Sequence, residues 1–306
     1  MDTTLFVRED VAAALRSGRP VVALESTVIA HGLPRPQNLE TARAMEAAVR
    51  EEGALPATIA IIEGRMVAGL SSEQLAIFAA ADGIAKVSRA DLAAVMVARK
   101  TGATTVAATM LIAARAGIRT FATGGIGGVH RGAELTFDIS ADLTEIARTP
   151  VAIVCAGAKA ILDLPRTLEI LETFGVPVTG YRTNRFPAFY AEDSGLPLQS
   201  RVDTPAEAAR LMQVHWRLGA PSGIVFCNPP PRGSALRKQE VDAWIAQALQ
   251  SAAAAGIRGK AVTPYLLDCL AKASRGQTLE TNIALLVSNA RMAAQIAKAY
   301  SELDSA

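Results

Sequence analysis

Aromatic side chains are scarce in this 306-residue chain: Phe, Trp and Tyr together make up 5% of it. A core must therefore come from Ala, Val, Ile and Leu, in a sequence whose hydrophobic content is 50%. Cysteine is also rare. Cys155, Cys227 and Cys269 are too few to staple a small secreted scaffold. They show neither CxxC spacing nor a histidine at zinc-ligand spacing, and read as small buried hydrophobes in a reducing compartment. An excess of one charge is missing too. The formal net charge is +2, and no basic tail or aromatic-interleaved basic stripe offers a nucleic-acid footprint. No run approaches the ~18–20 apolar residues that span a bilayer. The opening MDTTLFVRED is acidic without an apolar stretch, so no signal peptide is expected. The expectation is a cytoplasmic protein with neither nucleic-acid nor membrane partners.

What is present is an alternation of short β-branched runs with longer helical stretches. Strands are expected at 21–24, 57–62, 120–123, 151–155, 176–178 and 223–226, with 66–70 completing a hairpin after the Glu63–Gly64 turn. Helices are expected at 37–52, 91–100, 105–116, 141–148, 240–255, 264–273 and 279–303, with Gly102 breaking between the second and third. A further helix is expected to contain Lys159. The stretch 182–202 is polar and irregular, with Pro187, Gly195 and Pro197, and reads as a surface excursion. Such alternation implies an α/β fold: a single-domain α/β/α sandwich over residues 1–306 with a mostly parallel central sheet.

In open α/β sheets, ligands bind at the carboxyl ends of strands, and three segments place unusual polarity there. The first is the apolar run 21–24 leading into Glu25, Ser26 and Thr27, with His31 beyond as a turn residue. A carboxylate directly after a buried strand is either functional or paired with a basic residue at the sheet edge. The second, from Phe121 to Asp142, has four glycines in five positions (Gly124, Gly125, Gly127, Gly128) that let backbone approach a ligand. It matches neither a Walker A loop nor a dinucleotide fingerprint. His130 is a candidate ligand contact. Ser140 is a helix cap whose first-turn amides offer an anion site, although a plain cap, with Asp142 offsetting the dipole, accounts for both residues. The third is VCAGAKAILDLPRT, where Lys159 lies among small apolar residues and either snorkels outward or is held neutral. Covalent chemistry needs the neutral amine, and at an ordinary lysine pKa of ~10.4 less than about one in a thousand is free at pH 7. Lys86 and Arg89 are further cations that strand ends can bring to the same cleft.

At these residues the chain resembles the pseudouridine-5'-phosphate glycosidase family. The resemblance runs through VALESTVIAHGLPRPQN (22–38), PATIAIIEGR (56–65), KVSRADL (86–92) and GATTVAATM (102–110). It continues through FATGGIGGVHRGAELTFDISADL (121–143), AGAKAILDLPRTLEILETFGVPV (156–178), NPPP (228–231), GKAVTPYLL (259–267) and LETNIALL (279–286). It implies reversible splitting of pseudouridine 5'-phosphate into uracil and ribose 5-phosphate by a manganese-dependent homotrimer, acting after a pseudouridine kinase. Carried over residue by residue, Lys159 matches the Schiff-base lysine, Glu25 the proton donor and Asp138 the Mn2+ ligand. Lys86, Val106, Ser140, Ala141 and Asp142 match substrate-binding positions, with Thr123, His130 and Asn282 as further contacts. Two other functions compete: an aldolase or lyase acting on a phosphosugar through Lys159, and a non-catalytic nucleotide-binding module built on the glycine loop.

Overall fold

The computed structural model describes residues 4–257 and 262–304; Gly259, Lys260 and Ala261 of the GKAVTPYLL run lie outside the described residues. Eleven strands occur in chain order: β1 (Leu5–Val7), β2 (Val21–Leu24), β3 (Leu55–Ile62), β4 (Arg65–Ala68), β5 (Ala85–Val87), β6 (Gly102–Thr104), β7 (Thr120–Ala122), β8 (Ala152–Cys155), β9 (Val178–Tyr181), β10 (Ser200–Val202) and β11 (Ile224–Cys227). They form one sheet in the order β1-β4-β3-β2-β7-β8-β11-β9-β10, with β6 on β3 and β5 on β6. From β3 through β2 to β10 every pairing is parallel. The β3–β4 and β3–β6 pairings run antiparallel.

The central strands explain this arrangement. VVAL, TFA, AIVC and IVFC are buried at every position, as continuous apolar runs are when helices cover a parallel sheet. The 28-residue helix Gln277–Asp304 packs on helices Gln37–Glu51 and Pro205–Arg217 and crosses β7 and β8. The core is assembled from small aliphatics, with Phe121, Phe186 and Phe226 as its fully buried aromatics among the largest side chains. Each buried Val, Leu or Ile contributes about 1.5–3 kcal/mol, so many small side chains replace a few aromatic ones.

Four expectations are corrected. Lys159 lies in a loop, not a helix. Backbone groups of 156–159 bond across to the glycine segment, and the helix begins only at Leu164, where the Asp163 side chain accepts from Arg166 N–H at 3.1 Å and Pro165 occupies the first turn. Gly102 opens β6 rather than breaking helices, because a Cβ there would lie 2.3 Å from Val87 Cγ2 on the paired strand. The helix expected at 91–100 shortens to Leu92–Val97 after a tight turn at Arg89–Asp91. The stretch 182–202 is not a simple surface excursion: it buries Phe186, Phe189 and Tyr190 and ends in β10.

Candidate active site

The chain leaves β2 toward β3 on one side, while β7 leads to β8 and β11 on the other. The carboxyl ends of β2 and β7 therefore flank a topological switch point, where parallel sheets open a crevice. The register Leu24↔Ala122 makes Glu25 and Thr123 the next pair. Thr123 Oγ1 donates a hydrogen bond to Glu25 Oε1 across that opening. Burial pushes the Glu25 carboxyl above its usual range. The charge of Lys159, the Thr123 hydrogen bond and the charge of Lys86 oppose that rise, and Asp142 adds to it.

Lys159 reaches the cleft because two loops zip together. Ala156 N–H donates to Gly124 C=O at 2.9 Å, Ile126 N–H to Gly157 C=O at 3.0 Å, and Lys159 N–H to Ile126 C=O at 3.1 Å. The glycines serve this packing. A Cβ on Gly125 would lie 2.6 Å from the Phe189 ring, and one on Gly127 would lie 2.2 Å from Ser140 Oγ. The protein's own side chains thus fill the Cβ side of these two glycines, while Gly124, Gly125 and Gly127 line the cleft and its extension.

Asp142 is buried, and its carboxylate accepts from Ala107 N–H at 2.9 Å and Gly127 N–H at 2.8 Å. It fastens the glycine loop to the start of helix Val106–Ala116. Ser140 caps the short helix Ala141–Ile146, accepting from Asp142 N–H at 3.2 Å. A candidate anion-binding corner lies nearby, where Thr105 precedes Val106 and its Oγ1 is buried without a partner among the described residues. Thr105 is carried there by β6, whose Thr104 carbonyl accepts from Thr27 Oγ1 at 2.7 Å beyond the end of β2. An orphaned hydroxyl beside the first amides of a helix suits a phosphate.

His130 and Asp138 face each other across a small hairpin. His130 N–H donates to Asp138 C=O at 3.0 Å, and the imidazole Nδ1 stands 3.9 Å from the Asp138 carboxylate. Burial pulls His130 below the usual imidazole range, Asp138 pulls it up, and Lys159 and Lys86 add to the fall. Among the described residues no group of three or more His, Cys, Asp or Glu forms a metal cluster. A half-exposed carboxylate beside a neutral imidazole does suit a hard divalent ion that keeps most of its waters.

Glu25, Lys86, Val106, His130, Asp138, Ser140, Asp142 and Lys159 all line one cleft. Asn282 lines its apolar extension, which shares Glu25, Lys86 and Lys159. Thr123 sits beneath, fully buried. Ala141 is exposed and is not among the lining residues. Arg89 is also elsewhere, paired with the buried Glu145 carboxylate at 2.5 Å. The sequence reading missed Thr105, His31 as more than a turn residue, and Phe189. Thr105 carried a signal, a threonine at a helix start. Phe189 carried none, because its approach to Gly125 is purely tertiary.

A family model described as indigoidine synthase A like protein matches residues 10–299. A pseudouridine-5'-phosphate glycosidase of Methylobacterium nodulans is 58% identical over 290 residues, covering 95% of this chain and 86% of the relative. One of Caldanaerobacter subterraneus subsp. tengcongensis is 54% identical over 303 residues, covering 99% of each. Among solved structures, prealnumycin C-glycosynthase AlnA, in complex with ribulose 5-phosphate, superposes with a TM-score of 0.93 at 43% identity, covering 100% of this chain and 99% of the other. An indigoidine synthase A-like protein of Thermotoga maritima gives 0.88 at 34%, covering 97% and 96%. With its switch-point carboxyl, its loop lysine and these full-length likenesses, the chain belongs to the indigoidine synthase A-like family that includes the pseudouridine-5'-phosphate glycosidases.

Proposed function

We propose that this protein reversibly cleaves the C–C glycosidic bond of pseudouridine 5'-phosphate, giving uracil and ribose 5-phosphate. One observation carries the reading. A carboxyl held above its usual range and a lysine share a cleft that has a threonine hydroxyl, partnerless among the described residues, at a helix start at one end and an apolar pocket at the other. The leaving atom is carbon, so protonating a leaving heteroatom, the ordinary glycosidase route, does not serve. Lys159 Nζ instead bonds to C1' as C1'–O4' breaks, and Glu25 hands its proton to O4'. The nitrogen gives up a proton, and its lone pair expels C5 of uracil, which takes up that proton; the protonated imine left on Lys159 is hydrolysed by water to ribose 5-phosphate and the free amine. Val106, Thr105 and Ser140 hold the phosphate beside Lys86. Thr123 orients Glu25, and Asp142 and Ala141 place the Ser140 turn. Asn282 meets the base.

A divalent ion, manganese in this reading, would be held by Asp138 with His130 beside it. When bound it supplies a positive charge that steadies anionic oxygens of the substrate. Three further proposals accompany the activity: a homotrimer, a cytoplasmic location, and a pseudouridine kinase upstream. Light scattering at micromolar protein should give about three chain masses; a single-chain mass would rule the trimer out.

The deciding assay is uracil release from pseudouridine 5'-phosphate, with and without chelator. Reversible loss of wild-type activity in chelator, restored by manganese, together with loss of the metal-dependent activity in Asp138→Ala, supports the metal. Full activity of Asp138→Ala in chelator would remove it. Borohydride with ribose 5-phosphate should leave a pentose-phosphate adduct on the peptide holding Lys159; an adduct confined to Lys86 would reverse that assignment.

A further inference from the structure

The apolar end of the cleft contains a buried imidazole nitrogen that the reaction above leaves unused. His31 rides on the wide helical turn Val28–Gly32, a few residues past β2. Its Nε2 is buried and has no hydrogen-bond partner among the described residues. The ring stands on the wall between the catalytic cleft and a groove beyond it, with Asn282 and Leu267 on the same wall. Phe189 and Leu286 supply apolar faces to the cleft side. Polar atoms buried without a partner are few in folded proteins, and each calls for a reason.

Burial, then the charge of Lys86, pulls His31 below the usual imidazole range, while a hydrogen bond to the Ile84 backbone pulls the other way. The ring is uncharged at neutral pH, and a neutral imidazole carries one N–H and one bare lone pair. With the proton on Nδ1, Nε2 is a pure acceptor on a ring that lines a slot with apolar walls.

We propose that His31 determines base specificity, its Nε2 accepting a ring N–H of the pyrimidine that the enzyme binds and releases. The proposal rests on the reaction read above and deepens it. Uracil joined through C5 keeps both ring N–H groups free, whereas the N-linked isomer has lost one. An acceptor here rewards the C-linked base and rejects heterocycles alkylated at the nitrogen it meets. Asn282, which offers both a donor and an acceptor, meets the remaining edge.

The test uses the whole chain with manganese present, in the synthetic direction and by calorimetry with uracil alone. His31→Leu should raise the uracil KM and Kd about 10-fold, the effect of leaving a buried hydrogen bond unmade. The ribose 5-phosphate KM and the borohydride adduct on Lys159 should stay within about two-fold of wild type, since no hydrogen bond to the sugar is lost. His31→Gln, whose amide oxygen reaches a similar position, should recover most of the affinity. Wild type should discriminate against either 1-methyluracil or 3-methyluracil, and His31→Leu should lose that preference. A folded His31→Leu protein with unchanged uracil affinity and unchanged methyluracil discrimination overturns the proposal. So does a wild type that traps ribose 5-phosphate but does not bind uracil. Uracil binding that depends on His31, without cleavage of pseudouridine 5'-phosphate, instead overturns the proposed reaction.

Discussion

Glu25 shows how one residue can serve the reaction at the expense of the fold. Burial raises its pKa above that of the unfolded chain, so the folded state binds the proton more tightly. Its contribution to stability is fully present below the unfolded pKa and is lost as pH rises through the folded one. Glu25→Gln should therefore have a higher Tm than wild type at pH 8, with the gap closing near pH 4, as calorimetric scans at both pH values would read. The same variant keeps the shape but cannot give up a proton, so uracil release should fall by ~10²–10⁴-fold. Near-normal turnover would take Glu25 out of the chemistry. In wild type, activity should decline as pH rises through a value above the ordinary carboxylate range.

At the scale of elements, the site is a meeting of loops held by backbone bonds. The glycine segment after β7 zips to the loop after β8, and the Asp142 carboxylate ties that segment to the start of helix Val106–Ala116. Gly127 is the tightest point, with Ser140 Oγ and Asp142 Oδ2 at 2.2 and 2.7 Å from where a Cβ would stand. Gly127→Ala should push the Ser140 turn away from the loop and cost about 1–3 kcal/mol, the usual penalty of overpacking. Urea denaturation would measure the stability loss. The KM for ribose 5-phosphate should rise with it, because Ser140 and Val106 move relative to Lys159. A variant with wild-type stability would show that the loop can yield.

Across the whole molecule, the last helix is coupled to the catalytic carboxyl. Asn289, fully buried on helix Gln277–Asp304, donates to the Thr123 carbonyl at 2.8 Å and accepts from Asn228 Nδ2 at 3.0 Å. Thr123 in turn donates to Glu25. One amide thus joins the carboxyl-terminal helix, the end of β11 and the switch point. Asn289→Leu strands the Thr123 carbonyl in the core and leaves Asn228 Nδ2 with only its bond to Ser288 Oγ, and should cost about 2–4 kcal/mol, by the penalty for buried groups left unsatisfied. In the surviving folded fraction, kcat should fall more than the ribose 5-phosphate KM rises, because Thr123 orients the proton donor rather than the phosphate. Equal effects on the two constants would argue against that coupling.

Much of this was legible in the residues themselves. The runs VVAL, AIVC and IVFC announce buried parallel strands because β-branched and apolar side chains without alternation need cover on both faces. Glu25 directly after such a run, and Ser140 before a helical stretch, attract notice by local chemistry, but a sheet-edge ion pair and a plain helix cap account for them there as well. The likeness of the motif-bearing runs to a known family pointed to Lys159 and Asp138. Tertiary structure alone decided the rest. Lys159 sits in a loop because the Ile126 carbonyl, more than thirty residues away, takes its N–H, a competition no local propensity records. Phe189 enters the site from a polar stretch because Gly125 leaves room for its ring. Arg89 turns away because a buried carboxylate, Glu145, needs a cation. His31 stands out only once the fold has dried its surroundings, since an imidazole nitrogen lacks a partner only where water cannot reach it; the same drying orphans the Thr105 hydroxyl, although its place at a helix start was legible.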